Sequence, residues 1–269
     1  REMFGVSGMK LWADGTPWQG SIATSFPFRD NDATARAGLA PCSHGSMNYS
    51  PDELTDLAVA FTAQGFPLAC HVHGDVTVEA VLHAYEKAAA DDPGRLRAHR
   101  PRLEHCGAVT AGQYRRAARL GATVSLFMDH VRWWGDVLAD DLFGPDIAAR
   151  WMAARSAVDA GHRVSLHNDG ICSPTDPLSG VATAITRRCR PSGRVHGPDE
   201  RLTVEEALRA VTADPAWQLH LENDIGMLRP GMRADLAVLT TDPRPVNPDR
   251  FQQEVAVTAT YLGGRQTWS

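Results

Sequence analysis

The chain has 269 residues, 43% of them apolar, enough to bury one large core. Its 27 basic and 32 acidic residues leave a net charge of -5, and no basic stripe is present, which argues against a nucleic-acid partner. No apolar run is long enough to span a bilayer. The five cysteines (42, 70, 106, 172 and 189) show no CxxC spacing and read as free thiols of a reducing, cytoplasmic compartment.

The chain opens Arg-Glu-Met-Phe, with no leader, and runs straight into strand-like sequence, so the start of a longer protein is expected to be absent. From there strands and helices alternate, the pattern of a parallel α/β fold. A first strand is expected over 6–13, followed by a Gly/Ser/Pro-rich stretch over 14–50. A helix then starts at Pro51, with Ser50 as N-cap and Glu53 in its first turn, and stops at Gly65. A second strand over 66–71, a helix over 76–90 and a third strand over 102–106 come next. A short helix over 111–120 precedes a fourth strand over 122–127. The segment around Trp133-Trp134-Gly135 reads as a loop. A helix over 145–160 and a fifth strand over 163–167 follow. A last helix opens on a capping box, Thr203 with Glu206. Beyond Gly226 the texture changes to short β runs, so the reading divides the chain into 1–222, a partial (β/α) barrel, and 223–269, a segment of a small β-sandwich. A closed barrel needs eight strands, and five are visible.

Active-site groups of parallel α/β barrels sit at the C-terminal ends of strands. Here those ends carry His71-Val72-His73-Gly74-Asp75, Leu103-Glu104-His105 and His167-Asn168-Asp169, and the first strand carries Lys10. Neutral imidazole and carboxylate are common ligands of zinc and related ions. Each has a plainer reading: a lone histidine is often a hydrogen-bonded structural residue, a lone lysine is usually ion-paired, and Asp-Gly is usually a turn. Their coincidence at three strand ends favours a site.

Taken together, Met9 to Gly15, His71 to Asp75, Arg102 to His105, His130 to Asp136, Ser165 to Asp169, Thr203 to Thr212 and Gly226 to Leu239 resemble the amidohydrolase superfamily. The match is to the branch called amidohydrolase family 3, which includes N-substituted formamide deformylases. The resemblance implies an α/β fold with a (β/α)8 TIM-like barrel, of which strands four to eight are visible here. It implies one or two divalent metals, zinc first, with iron, manganese or nickel as alternatives. Lys10 resembles the lysine that many relatives carboxylate to bridge two metals, and His71, His105 and Asp169 resemble further ligands. Asp169 would also shuttle protons. Asp14, Gln19, His73, His130, Trp134 and His167 are the implied lining of the substrate pocket. The expected reaction is hydrolysis of an amide- or formamide-like C–N bond, with ester or lactone hydrolysis as an alternative. The superfamily's first-strand His-x-His pair has no counterpart ahead of Lys10, so a non-catalytic or incomplete fragment is the other alternative. The expected partner is a small molecule, and Trp18, Phe26, Phe28 and Tyr49 in the long loop suggest that it carries an apolar or aromatic group. Assembly into a homo-oligomer stays open.

Overall fold

The computed structural model describes residues 7–90 and 92–269. Five short strands form one all-parallel sheet: β1 (Met9–Trp12), β2 (Leu68–Val72), β3 (Arg102–His105), β4 (Thr123–Leu126) and β5 (Val164–Leu166). They lie in sequence order, with β1 and β5 at the edges. Val6, expected in the first strand, lies outside the described residues.

Register explains why these apolar runs become strands. Leu11, Cys70, Leu103, Val124 and Val164 stand level across the sheet, and all are buried. One residue along, Trp12, His71, Glu104, Ser125 and Ser165 form the next row on the opposite face. The first row packs against helices, as parallel sheets require. The second row is largely polar and carries the chemistry.

The helices connect successive strands. After β1 come α1 (Asp32–Arg36) and α2 (Pro51–Ala63), the latter capped by Ser50 and Glu53 as the sequence predicts. Next are α3 (Asp75–Ala88), α4 (Pro93–His99) and α5 (Ala111–Leu120), then α6 (Asp129–Asp136), α7 (Pro145–Ala149) and α8 (Ala154–Asp159). Beyond β5 lie α9 (Pro177–Thr186), α10 (Val204–Arg209) and α11 (Ala213–Gln218). No described helix is long and apolar enough to cross a membrane.

Two expectations are corrected here. The segment around Trp133-Trp134-Gly135 is not a loop but helix α6, continuing into a π-turn over Val137–Leu142. Gly135 looks like a breaker but serves close packing, since a Cβ there would lie 2.7 Å from Cδ2 of His196. The single helix expected over 145–160 is two, broken where Met152 adopts a φ of 52°. Fully buried Arg187 causes the break to hold, donating to the carbonyls of Ala149, Trp151 and Met152 at 3.2, 2.8 and 2.9 Å. Tertiary hydrogen bonds there replace helical ones.

The long loop after β1 is pinned rather than loose. Ser25 N–H donates to Asp75 Oδ1 at 2.8 Å, and Phe26 and Phe28 pack on Phe143 with ring centroids 5.4 and 4.6 Å apart. Those two aromatics therefore hold the loop down, and Trp18 alone of the set reaches the histidines described below.

The C-terminal part forms a separate antiparallel sheet of β6 (Leu236–Leu239), β7 (Val257–Leu262) and β8 (Arg265–Trp268), with α12 (Phe251–Glu254) ahead of β7. All five cysteines are free.

Candidate metal centre

β2 carries His71 and ends at Val72, just ahead of His73, and β3 ends in His105. These three side chains bring ligand atoms within 4.8 Å of one another. His105 arrives by an unusual route. Strand alternation would place it opposite Glu104, but His105 and Cys106 have φ of 70° and 62°, and this left-handed turn carries the ring to its partners.

The triad is the centre of a larger group. His71 lies 4.3 Å from His105 and 5.0 Å from His73, centroid to centroid. His130, on α6, stacks on His73 at 4.9 Å and 5°. His167, just past β5, meets His105 at 4.9 Å and stacks on Phe127.

Burial keeps these rings neutral. It pushes the imidazoles of His73 and His105 well below the ordinary 6.5, helped by the neighbouring histidines, and lowers those of His71 and His167. His130 is pushed down to about 3, by burial first and then by His167 and His71. Neutral imidazoles offer lone pairs. The carbonyl of Gly15 can only accept, so His71 Nε2 carries its proton and donates across 2.7 Å, leaving Nδ1 bare. Trp151 donates its indole N–H to His130 Nδ1 at 3.2 Å, which places the proton of His130 on Nε2.

The donor set fits a divalent cation. Nδ1 of His73, Nδ1 of His105 and Nε2 of His167 are buried without a hydrogen-bond partner. A buried ring nitrogen without a partner is costly, and a cation bound by its lone pair satisfies it. The hydrogen bond from His71 to a carbonyl is the kind of support that metal-bound histidines usually receive.

Other predicted residues lie around this group at different depths. Asp14 is fully buried at the end of β1. Its carboxylate accepts from the N–H groups of His73 and Gly74 at 3.0 and 2.8 Å, and Oδ1 lies 3.7 Å from His71 Nε2. Burial raises its pKa to about 7 against those hydrogen bonds. Lys10 is not drawn into the triad; its Nζ lies 3.2 Å from Glu104 Oε2. Arg102 binds the other oxygen of Glu104. Burial favours the neutral form of Glu104, but Arg102 and Lys10 outweigh it and hold the carboxyl below its ordinary range. Asp169 is exposed at a φ of 50°, beside the buried cluster, and its charge acts on both His71 and His167. With Glu104, Ser125, Ser165 and His167 it lines a cavity of about 500 Å³ along the polar face of the sheet. Trp134 is half-buried and packs with Trp18, whose ring lies 5.2 Å from it and 5.1 Å from His130. Gln19 is exposed at the end of a short 3-10 turn, Pro17–Gln19.

Sequence reasoning missed three contributors. Trp151 fixes the tautomer of His130. Glu104 faces the same side as Lys10, which only the strand register reveals. Asp129, buried on α6, accepts from Asn168 Nδ2 and Ser173 Oγ at 2.8 and 2.6 Å, tying the loop that carries Asp169 to the helix that carries His130.

Comparison with known proteins identifies the family. A family model described as "Amidohydrolase family" matches residues 1–268. An N-substituted formamide deformylase of Arthrobacter pascens is 33% identical over 220 residues, covering 82% of this chain and 40% of that protein. Protein LONG AFTER FAR-RED 3 of Arabidopsis thaliana is 27% identical over 265 residues, 98% of this chain and 43% of that protein. Among solved structures, an uncharacterized metal-dependent hydrolase from Pyrococcus horikoshii OT3 shares the fold with a TM-score of 0.71 and 22% identity, over 90% of this chain and 46% of that one. The chain thus spans less than half the length of each of these proteins.

Proposed function

The chain belongs to the amidohydrolase family, and from that premise we propose that it carries catalytic residues of a metal-dependent hydrolase acting on an amide- or formamide-like C–N bond. The observation that supports this reading is the convergence of three buried, neutral imidazoles, His71, His73 and His105. We read the five parallel strands as consecutive strands of a (β/α)8 barrel, with residues 1–222 as barrel and 223–269 as part of a small β unit.

His71, His73 and His105 would hold the divalent metal, zinc first, and Lys10 and Asp169 complete the proposed ligand set. When bound, such a cation polarises a scissile carbonyl as a Lewis acid and makes water acidic enough to attack near neutral pH. Asp169 takes the proton of the attacking water and delivers it to the departing amine. His130, with its proton held on Nε2 by Trp151, donates a hydrogen bond to the substrate oxygen. Trp18 and Trp134 offer an apolar wall for the substituent on nitrogen. Carboxylation of Lys10 would turn a cation into an anion, so it requires the pair with Glu104 to break. The N-substituted formamide deformylase relative makes N-substituted formamides the first substrates to try.

The test is metal content per chain after exhaustive dialysis, with turnover of N-substituted formamides measured on the same samples. One or two equivalents, falling in His105→Ala, and turnover lost in Asp169→Asn with metal retained or reduced, would support the proposal. Absence of metal after reconstitution with bicarbonate present would overturn it for this chain.

A further inference from the structure

A second group of metal-ligating side chains lies outside the histidine cluster. Asp136 ends α6, and Cys189 and His196 belong to the turn that follows α9. One ligand atom from each lies within 4.8 Å of the other two. His196 Nε2 is 2.9 Å from Asp136 Oδ1, while Cys189 and His196 are buried.

The backbone holds this geometry from both sides. The turn closes on itself: Cys189 N–H donates to the Arg194 carbonyl at 2.8 Å, and Arg188 bridges to Val195. His196 N–H donates to the Arg187 carbonyl at 3.0 Å, and Arg187 Nε returns a bond to the His196 carbonyl at 2.8 Å. Gly135 lets the turn approach α6, since a Cβ there would lie 2.7 Å from His196 and 3.4 Å from Cys189. This frame brings one sulfur, one imidazole nitrogen and one carboxylate oxygen within 4.8 Å of one another.

We propose that Asp136, Cys189 and His196 form a second metal site, for a zinc-class divalent cation, that clamps the turn over 188–196 to the end of α6. Mixed S, N and O ligation suits zinc, whose ligand atoms at about 2.0–2.3 Å from the ion stand roughly 3.2–3.8 Å apart. The pair of His196 with Asp136 needs to open by only a few tenths of an ångström. Asp136 is the half-open member, with a side chain 24% exposed, so a solvent molecule completes the set. Arg194, 3.3 Å from Asp136, keeps a second carboxylate in Asp140 and can withdraw to it. Because α6 also carries His130 and Trp134, the clamp steadies one wall of the candidate active site.

Cobalt(II) titration of the reduced 269-residue chain tests this. Only a thiolate ligand gives the near-ultraviolet sulfur-to-cobalt charge-transfer band, and the His71, His73 and His105 group contains no sulfur. The free thiol of Cys172 lies beside Asp169, so Cys172→Ala is included to separate the second site from the first. The expected result is a band saturating at one equivalent, displaced by zinc, lost in Cys189→Ala and kept in Cys70→Ala, Cys106→Ala and Cys172→Ala. If Cys189→Ala does not fold, His196→Gln decides, with cobalt affinity expected to fall at least tenfold. No band at saturating cobalt, a band that survives Cys189→Ala, or unchanged affinity in His196→Gln would overturn the proposal.

Discussion

Trp151 donates its indole N–H to Nδ1 of His130 across 3.2 Å, and both side chains are buried. The bond decides which nitrogen of His130 carries the proton. Replacement by Phe keeps most of the ring volume but leaves Nδ1 without a donor. Trp151→Phe is expected to lose about 1–3 kcal/mol of stability. It should also lower kcat about tenfold or more with little change in KM, because the tautomer that donates to the substrate is no longer enforced. Steady-state kinetics with a urea melt checks both; a change in KM alone would argue against the proposed role.

How much of this was legible in the sequence varies by element. The strand ends were, because Leu, Val and Cys runs bounded by Gly and Pro mark buried strands and the histidines fall where they stop. The cap at Ser50 was, because its chemistry is local. The approach of His105 to His71 was not, since it depends on left-handed backbone at two non-glycine residues. Nor was the break between α7 and α8, which rests on Arg187, 35 residues downstream of Met152. Helix α6 was hidden behind Gly135, whose meaning lies in a partner, His196, from a distant turn. Whatever local chemistry decides was readable, and whatever needs register or a remote donor was not.

The neutral histidines make acid stability a test of the cluster. His130 has a folded pKa of about 3 against an ordinary 6.5. A base depressed in this way contributes stability that is intact above 6.5 and is lost as pH falls below it. At pH 5 the loss from His130 is about 2 kcal/mol, at roughly 1.4 kcal/mol per unit. His73 and His105 act with the same sign, while Asp14, raised to about 7, opposes them because acid neutralises a buried carboxylate. The metal-free protein is expected to lose thermal midpoint between pH 7 and pH 5, and His130→Gln should flatten that slope. Equal slopes would count against a buried neutral His130.

Arg187 is fully buried, and its guanidinium is spent on backbone carbonyls at 149, 151, 152 and 196. Burial lowers its pKa to about 10, which still leaves it charged at neutral pH. Arg187→Met removes the charge but strands several buried carbonyls, so the variant is expected to lose about 3–5 kcal/mol. A chemical melt showing less than about 1 kcal/mol would mean that water replaces the guanidinium. The Trp151 segment hangs on the same carbonyls, so turnover should fall in parallel with stability.

Gly107 sits where β3 hands over to the next helix, directly beneath the cluster. A Cβ there would lie 2.6 Å from Cζ2 of Trp151 and 2.8 Å from Nδ1 of His73. Real Cβ contacts are not that short, so Gly107→Ala must displace one ring or both. Neither has slack: Trp151 is fully buried and bonded to His130, and His73 is stacked between His105 and His130. Overpacking of this kind costs about 1–3 kcal/mol. The sharper expectation concerns function. Moving His73 disturbs the three-imidazole geometry, so metal affinity should fall at least tenfold, by more than the same methyl causes at exposed Gly112 in α5, where the nearest atom is 3.8 Å away. Calorimetric titration of zinc into both variants makes the comparison. Equal affinities would mean that His73 is not a ligand, leaving His71 and His105 to hold the ion with Asp169.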